Sequence, residues 1–350
     1  MDKQRALDLI GALSDANGAP GFEDEVVEVV RGYAGDLGLV GEDNVRNCYI
    51  RRHENTGDRP VVQLDAHTDE VAFMVQSICA DGTLKFVTMG GWVPACVPAH
   101  LVRVRTASGA YVPGVIASKP PHYLTEAERN APPKIADMVI DIGATSREDA
   151  VNNFGARIAE PVVPEAAFAY DEAHDLLLGK AFDCRLGCAA LLTTLRAIAG
   201  QRLSVDVVGA LATQEEMGLR GARVTANAVK PDLAIVFEGC PADDTFGDAS
   251  MAQTAIKKGP MLRHIDAGMI THPRFQRFAL DLGERLGLPV QQAVRSGGST
   301  NGGAIHLSGL GVPCIVIGLP VRYIHTHHGI ASFADFGNAV KLATALLEGL

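Results

Sequence analysis

Aromatic residues are scarce in this sequence: they make up 5% of it, with a single tryptophan. That leaves too few rings for a platform on which single-stranded nucleic acid could stack. Basic residues are outnumbered, with 31 Lys and Arg against 41 Asp and Glu and a formal charge of −10. Such a balance argues against a phosphate-backbone partner. Seven cysteines are present, an odd number, and no two form a CxxC pair. A disulfide framework or a structural zinc knuckle is therefore not expected. No apolar run reaches the ~18 residues of a membrane span. The first residues, MDKQRALDLIGAL, lack a long apolar stretch and read as an amphipathic helix rather than a leader. Together these absences predict a soluble protein of a reducing cytoplasm, with neither nucleic acid nor membrane as partner.

What is present is ample apolar material. The chain has 350 residues, 47% of them hydrophobic and 21% charged, enough for a sizeable core. Its 37 glycines imply many tight turns. Residues 23–37 carry helical spacing behind the turn cluster GAPGFED, and VVQLD at 61–65 is a short apolar strand. From about 71 the texture becomes short strand-like pieces broken by Gly, Pro and Ser. VRVRTASGAYVPGV reads as a hairpin turning near Ser108 and Gly109. Beyond about 165, helices at 186–199, 271–286 and 332–347 alternate with strands at 204–213, 232–239 and 312–320. Alternation of this kind implies a mixed, largely parallel sheet covered by helices on both faces. The predicted organisation is an α/β domain formed by 1–70 and 165–350, interrupted by a small β-rich domain at 71–164.

In open α/β sheets, ligands bind beyond the carboxyl ends of the strands. Those ends hold a recurring set of side chains. VVQLD runs into His67 and Asp69, and the 204–213 strand runs into Glu215 and Glu216. DLAIVF runs into Glu238, and VPCIVIGLP leads to VRYIHTHHG with His325, His327 and His328. Asp183 precedes a helix in KAFDCRLG. Each has an ordinary explanation alone: a surface turn, a solvated strand end, a helix cap. Core formation does not require their repetition at several strand ends. Imidazoles with carboxylates suit Zn2+, Co2+ or Mn2+.

The order HTDE, FDCRLG, ATQEEMGLRGA, VFEG and GGSTNGGAIHLSGLGVPCIVIGLPVRYIH, with GVIASKPPH and DMVIDIGATSREDA in the insert, resembles the glutamyl and deblocking aminopeptidase family. These are dinuclear metallopeptidases that build tetrahedral cages. The resemblance spans essentially the whole chain. It implies the family's metallopeptidase (phosphorylase/hydrolase-like) fold and two divalent metal ions per subunit, Zn2+ first, with Co2+ or Mn2+ as alternatives. By the same resemblance His67 and Glu238 bind one metal, Glu216 and His325 the other, and Asp183 bridges them. Asp69 would hydrogen-bond His67 and fix its tautomer. Glu215 would be the general base and acid. The substrate would be a peptide with a free amino terminus. The insert would pair subunits into dimers that assemble into a twelve-subunit cage. A cis peptide is expected between Asp183 and Cys184.

Two positions depart from the family pattern. The bridging Asp is usually followed by Asp or Asn, and here by Cys184; Asn301 stands where Asp is expected. Cys184 bears on metal preference and sensitivity to oxidation, and Asn301 removes a charge that would orient the site or the substrate. Two other readings compete with the aminopeptidase. One is a dinuclear amidohydrolase of N-acyl amino acids or small amides. The other is a catalytically weak peptide-binding member.

Overall fold

A computed structural model describes residues 2–246, 248 and 250–350. The chain divides into two compact units. One comprises the residues up to Asp69, Ala167–Ile324 and His328–Leu350; the other comprises Glu70–Ala166 with His325–His327.

Chain order explains how the first unit is assembled. It opens with α1 (Lys3–Asp15), α2 (Asp24–Ala34), β1 (Gly38–Glu42), β2 (Cys48–Arg52) and β3 (Val61–His67). The second unit follows: β4 (Ala72–Ile78), β5 (Leu84–Met89), β6 (Leu101–Arg105), β7 (Tyr111–Ile116), α3 (Glu126–Asn130), β8 (Ile140–Asp141), α4 (Arg147–Asn152) and β9 (Pro161–Pro164). The chain then returns through β10 (Ala169–Asp171), β11 (Leu176–Gly179), α5 (Phe182–Ala197), β12 (Asp206–Ala212) and α6 (Arg220–Val229). It ends with β13 (Leu233–Pro241), β14 (Met261–Ile265), α7 (Pro273–Arg285), β15 (Gln291–Val294), α8 (Gly302–Ile305), β16 (Cys314–Val321), β17 (Gly329–Ser332) and α9 (Phe333–Gly349).

The main sheet of the first unit has eight strands in the order β1-β2-β12-β3-β13-β16-β14-β15. Its four central strands, β12, β3, β13 and β16, run parallel. They are near-continuous apolar runs buried almost end to end, as strands covered on both faces must be. Alternate residues serve alternate faces. Ile235, Phe237, Ile315, Ile317 and Leu319 join a core with α1, α2, α5, α7 and α9. Ala234, Val236, Cys314 and Val316 join another with α6 and α8. Each fully buried Ile or Phe contributes ~1.5–3 kcal/mol, so the central strands are the stable floor beneath the site. β2 pairs antiparallel with β12, and β14 antiparallel with β16, so the sheet is mixed toward both sides. α7 begins with Pro273 at its first position, where the missing N–H costs nothing, and buries Phe275, Ala279 and Gly283 at four-residue spacing.

The second unit is a closed six-stranded barrel, β4-β5-β8-β7-β6-β9. Its interior holds Phe73, Phe86, Val102, Val104, Ile116, Ile140 and Val162. Closure leaves these strands no free edge. The β6–β7 hairpin turns where the sequence predicts. Gly109 has φ of 86° and donates its N–H to Thr106 O at 2.9 Å. Among the described residues no helix is long and apolar enough to cross a membrane.

Candidate active site

Parallel register brings the strand tips together. Ala212, the last residue of β12, lies level with His67, the last of β3. On the other side Val236 of β13 pairs with Asp65 of β3, which sets Glu238 two residues further on, beside His67. α5 packs on β3 and β13 and brings Asp183 to the same place. Its first turn is not regular: Asp183 and Cys184 have non-helical dihedrals and are joined by the expected cis peptide. Asp183 is thus no helix cap. Room for it depends on Gly239, where a Cβ would meet the Asp183 Cα at 2.6 Å.

The His67 ring is the meeting point. Its Nε2 is 3.1 Å from Asp183 Oδ1, 3.2 Å from Glu238 Oε1 and 4.0 Å from Glu215 Oε2. Its Nδ1 faces the main-chain oxygen of Asp69 at 3.1 Å and the Asp69 Oδ1 at 3.4 Å. His67, Asp183, Cys184 and Glu238 each offer a ligand atom within 4.8 Å of the others, and so do His67, Glu215 and Glu216. Asp183 and Glu216 also lie within that distance of each other. His325 follows β16 with φ of 56°, in a loop closed by the bridge between Arg322 and Ile330. Of the two rival histidines, His328 is exposed. His327 is buried beside rings of the barrel unit, with His100 at 4.0 Å and Trp92 at 5.1 Å between centroids.

So much acid around one imidazole has electrostatic consequences. Burial and the neighbouring Asp183 push Glu238 well above the usual carboxylate range. Burial, together with the charges of Glu216, Asp69 and Asp183, pushes Glu215 up to about 8. Burial opposes the charged ring of His67, but Glu238, Cys184, Asp183 and Asp69 outweigh it and raise its pKa well above the ordinary value. Glu238 Oε2 is buried with no hydrogen-bond partner among the described residues. A buried carboxylate oxygen without a donor is costly unless a cation faces it. The donor set, one imidazole and several carboxylates at close range, therefore fits divalent cations.

The structure adds a cradle that leaves no motif in the sequence. Four successive backbone N–H groups are held by side chains. Thr213 donates to Asn47 Oδ1 at 2.9 Å and Gln214 to Glu23 Oε1 at 3.2 Å. Glu215 donates to Asp69 Oδ1 at 2.9 Å and Glu216 to Asp69 Oδ2 at 3.0 Å. Asp69 was expected to orient His67; its carboxylate also fixes the backbone of both glutamates. Glu23 heads α2 without making a side-chain cap, and burial with the charge of Asp69 raises it to about 8. In the sequence GFED reads as an ordinary helix start and gives no sign of this role. Asn301 has a definite partner near the centre. It is buried and donates to Asp65 Oδ1 at 2.7 Å, on β3 two residues before His67. A neutral donor there suits Asp65, which burial raises to about 7.

An α/β unit with His, Asp and Glu clustered at parallel strand tips has the donor set of a metal-dependent hydrolase. The M42 glutamyl aminopeptidase family model matches residues 47–342, and the chain belongs to that family. It is similar to the glutamyl aminopeptidase of Lactococcus lactis subsp. cremoris, 33% identical over 98% of this chain and 96% of the relative. It is also similar to the TET aminopeptidase of the archaeon Thaumarchaeota archaeon SCGC AB-539-E09, with a TM-score of 0.94, 37% identity, and coverage of 99% of this chain and 97% of that one. A third likeness, to the TET1 peptidase of Pyrococcus horikoshii, has a TM-score of 0.88 at 24% identity and covers 99% and 100% of the two chains. The protein is an aminopeptidase, a hydrolase of peptide bonds that depends on divalent metal.

Proposed function

We propose that the centre is dinuclear. His67 and Glu238 hold one cation, Glu216 and His325 the other, and Asp183 bridges them. The observation that carries this reading is the convergence of Asp183 and Glu238 on His67 Nε2, with Glu238 Oε2 buried and unpartnered among the described residues. When bound, the cations would polarise the scissile carbonyl and lower the pKa of the attacking water; Zn2+ fits the donor set, with Co2+ or Mn2+ as alternatives.

Glu215 is the general base. Its carboxylate takes the proton of the attacking water and returns it to the leaving amine, the nitrogen of the peptide's second residue. Its backbone is held by Asp69, so the side chain starts from a fixed point. Glu215→Gln tests the assignment, since the amide keeps the shape and cannot carry the proton. Metal content by elemental analysis should stay at the wild-type level while kcat falls ~10²–10⁴-fold. Near-normal turnover would remove Glu215 from the role.

The barrel unit pairs subunits into dimers, and these assemble into a closed homo-oligomer of up to twelve chains. The P. horikoshii relative is described as assembling into a tetrahedron or a large octahedral shell. A cage admits short or unfolded peptides and shields folded proteins from the hydrolase. Static light scattering gives the answer: a dodecamer, or a dimer that grows with concentration, is expected, and a stable monomer would reject the idea. All seven cysteines are free thiols, which suits the reducing cytoplasm.

A further inference from the structure

Cys184 occupies the position that carries Asp or Asn in the resembled family, and nothing in the scheme above uses its sulfur. Its Sγ is one of the four candidate ligand atoms that lie within 4.8 Å of one another, with those of His67, Asp183 and Glu238. The thiol is fully buried. Its place is cleared by Gly187, where any Cβ would collide with Sγ. Its hydrogen bond runs to Phe237 O at 3.2 Å, the carbonyl just before Glu238. In the same group the Glu238 Oε2 is buried with no hydrogen-bond partner among the described residues, an independent sign that a cation belongs here. The two neighbouring thiols are differently engaged. Cys188 Sγ donates to His67 O at 2.9 Å, and Cys240 Sγ accepts from Arg263 at 3.0 Å.

We propose that Cys184 Sγ is a direct ligand of the cation held by His67 and Glu238, giving that position a nitrogen, oxygen and sulfur donor set selective for thiophilic cations. This rests on the two-cation reading. On binding, the S–H bond breaks, the proton passes to solvent and the sulfur lone pair forms the bond to the cation, so no oxidant or reductant is needed. Sulfur is a soft donor and favours Zn2+ or Cd2+, whereas Mn2+ prefers oxygen donors and gains little from a thiolate. A hydrogen bond from S–H to a carbonyl is weak and easily exchanged for such a bond.

The test uses the full-length chain reconstituted with Co2+. The wild type should show a near-ultraviolet sulfur-to-cobalt charge-transfer band. Cys184→Ser and Cys184→Asn should lose that band while retaining the visible bands of bound cobalt, and Cys188→Ala should keep it. Loss of an outer partner already costs ~10–100-fold in metal affinity, so Cd2+ affinity should fall by at least ~10-fold in Cys184→Ser, with Mn2+ affinity much less changed. Cobalt bound to wild type without the near-ultraviolet band overturns the sulfur ligand and leaves the two-cation reading standing. So does a band that persists in Cys184→Asn. Equilibrium dialysis in which wild type takes up no cobalt overturns both.

Discussion

Asp69 shows how one residue can fix the placement of two others. Its two carboxylate oxygens accept the consecutive N–H groups of Glu215 and Glu216, and its main-chain oxygen faces His67 Nδ1. Asp69→Asn keeps the size but leaves only one accepting oxygen, and its amide hydrogens would face a backbone donor. Outer partners of metal ligands are worth ~10–100-fold in affinity or activity. We expect Asp69→Asn to lower kcat by that order with KM little changed, and to weaken metal retention during dialysis against a chelator. Steady-state kinetics with metal analysis checks it; unchanged kcat and metal content would make Asp69 merely structural. The residues of this layer divide sharply in legibility. His67, Asp69, Asp183, Glu215, Glu216 and Glu238 stand at strand or helix ends in a recognisable order. Glu23 and Asn47 were invisible because each sits in a turn or on a helix start where Asp, Asn and Glu are common for local reasons. Only three-dimensional contact reveals that they hold residues more than 160 positions away.

Among the elements, β13 and α5 meet closely at the centre. Gly239 lies against the Asp183 backbone, and neither side is a flexible side-chain tip that could turn away. Gly239→Ala should force the first turn of α5 off the sheet. Overpacking of this kind costs ~1–3 kcal/mol, and metal affinity should fall with it, because the His67, Asp183 and Glu238 group would spread. Denaturant unfolding paired with metal titration would measure both; a variant with wild-type stability would mean the junction yields. The same contrast explains which elements the sequence revealed. β3, β12, β13 and β16 are long apolar runs, and α7 and α9 repeat at helical spacing, so all were legible. β14 and β15, MLRHI and QQAV, lie toward the sheet's edge and carry polar residues that break the pattern. α6 is hard to read because ARVTANAV is small and polar on one side, and its apolar face is made of small residues, Ala222 and Ala226, packed on β13, β16 and α8. The barrel's closure was not readable, since strand pairing order leaves no local trace.

At the scale of the whole molecule, buried acid makes stability depend on pH. Glu23 and Glu215 are raised to about 8 and Asp65 to about 7, against ordinary values of 4.5 and 3.8. Between those limits the folded chain binds more protons than the unfolded one, so folding stability falls as pH rises. Chelator-stripped protein should therefore lose stability steadily from about pH 5 to about pH 8. Zn2+ should flatten the slope by taking the place of the bound protons. Urea unfolding at several pH values, with and without metal, tests this; stripped protein that grows more stable toward pH 8 would refute it. The order of strands in the main sheet has a further consequence, for the timing of folding. β3 is flanked by β12 and β13, both made well over a hundred residues later, after the whole barrel has been synthesised. The barrel's partners are closer in sequence, so its strands can close while β3 still waits. During synthesis β3 has no neighbouring strand to join, and the backbone of residues 213–216 comes to rest against Asn47, Glu23 and Asp69 only when β12 arrives. A nascent chain thus carries no working hydrolase: the centre forms late, once β12 and β13 have joined β3.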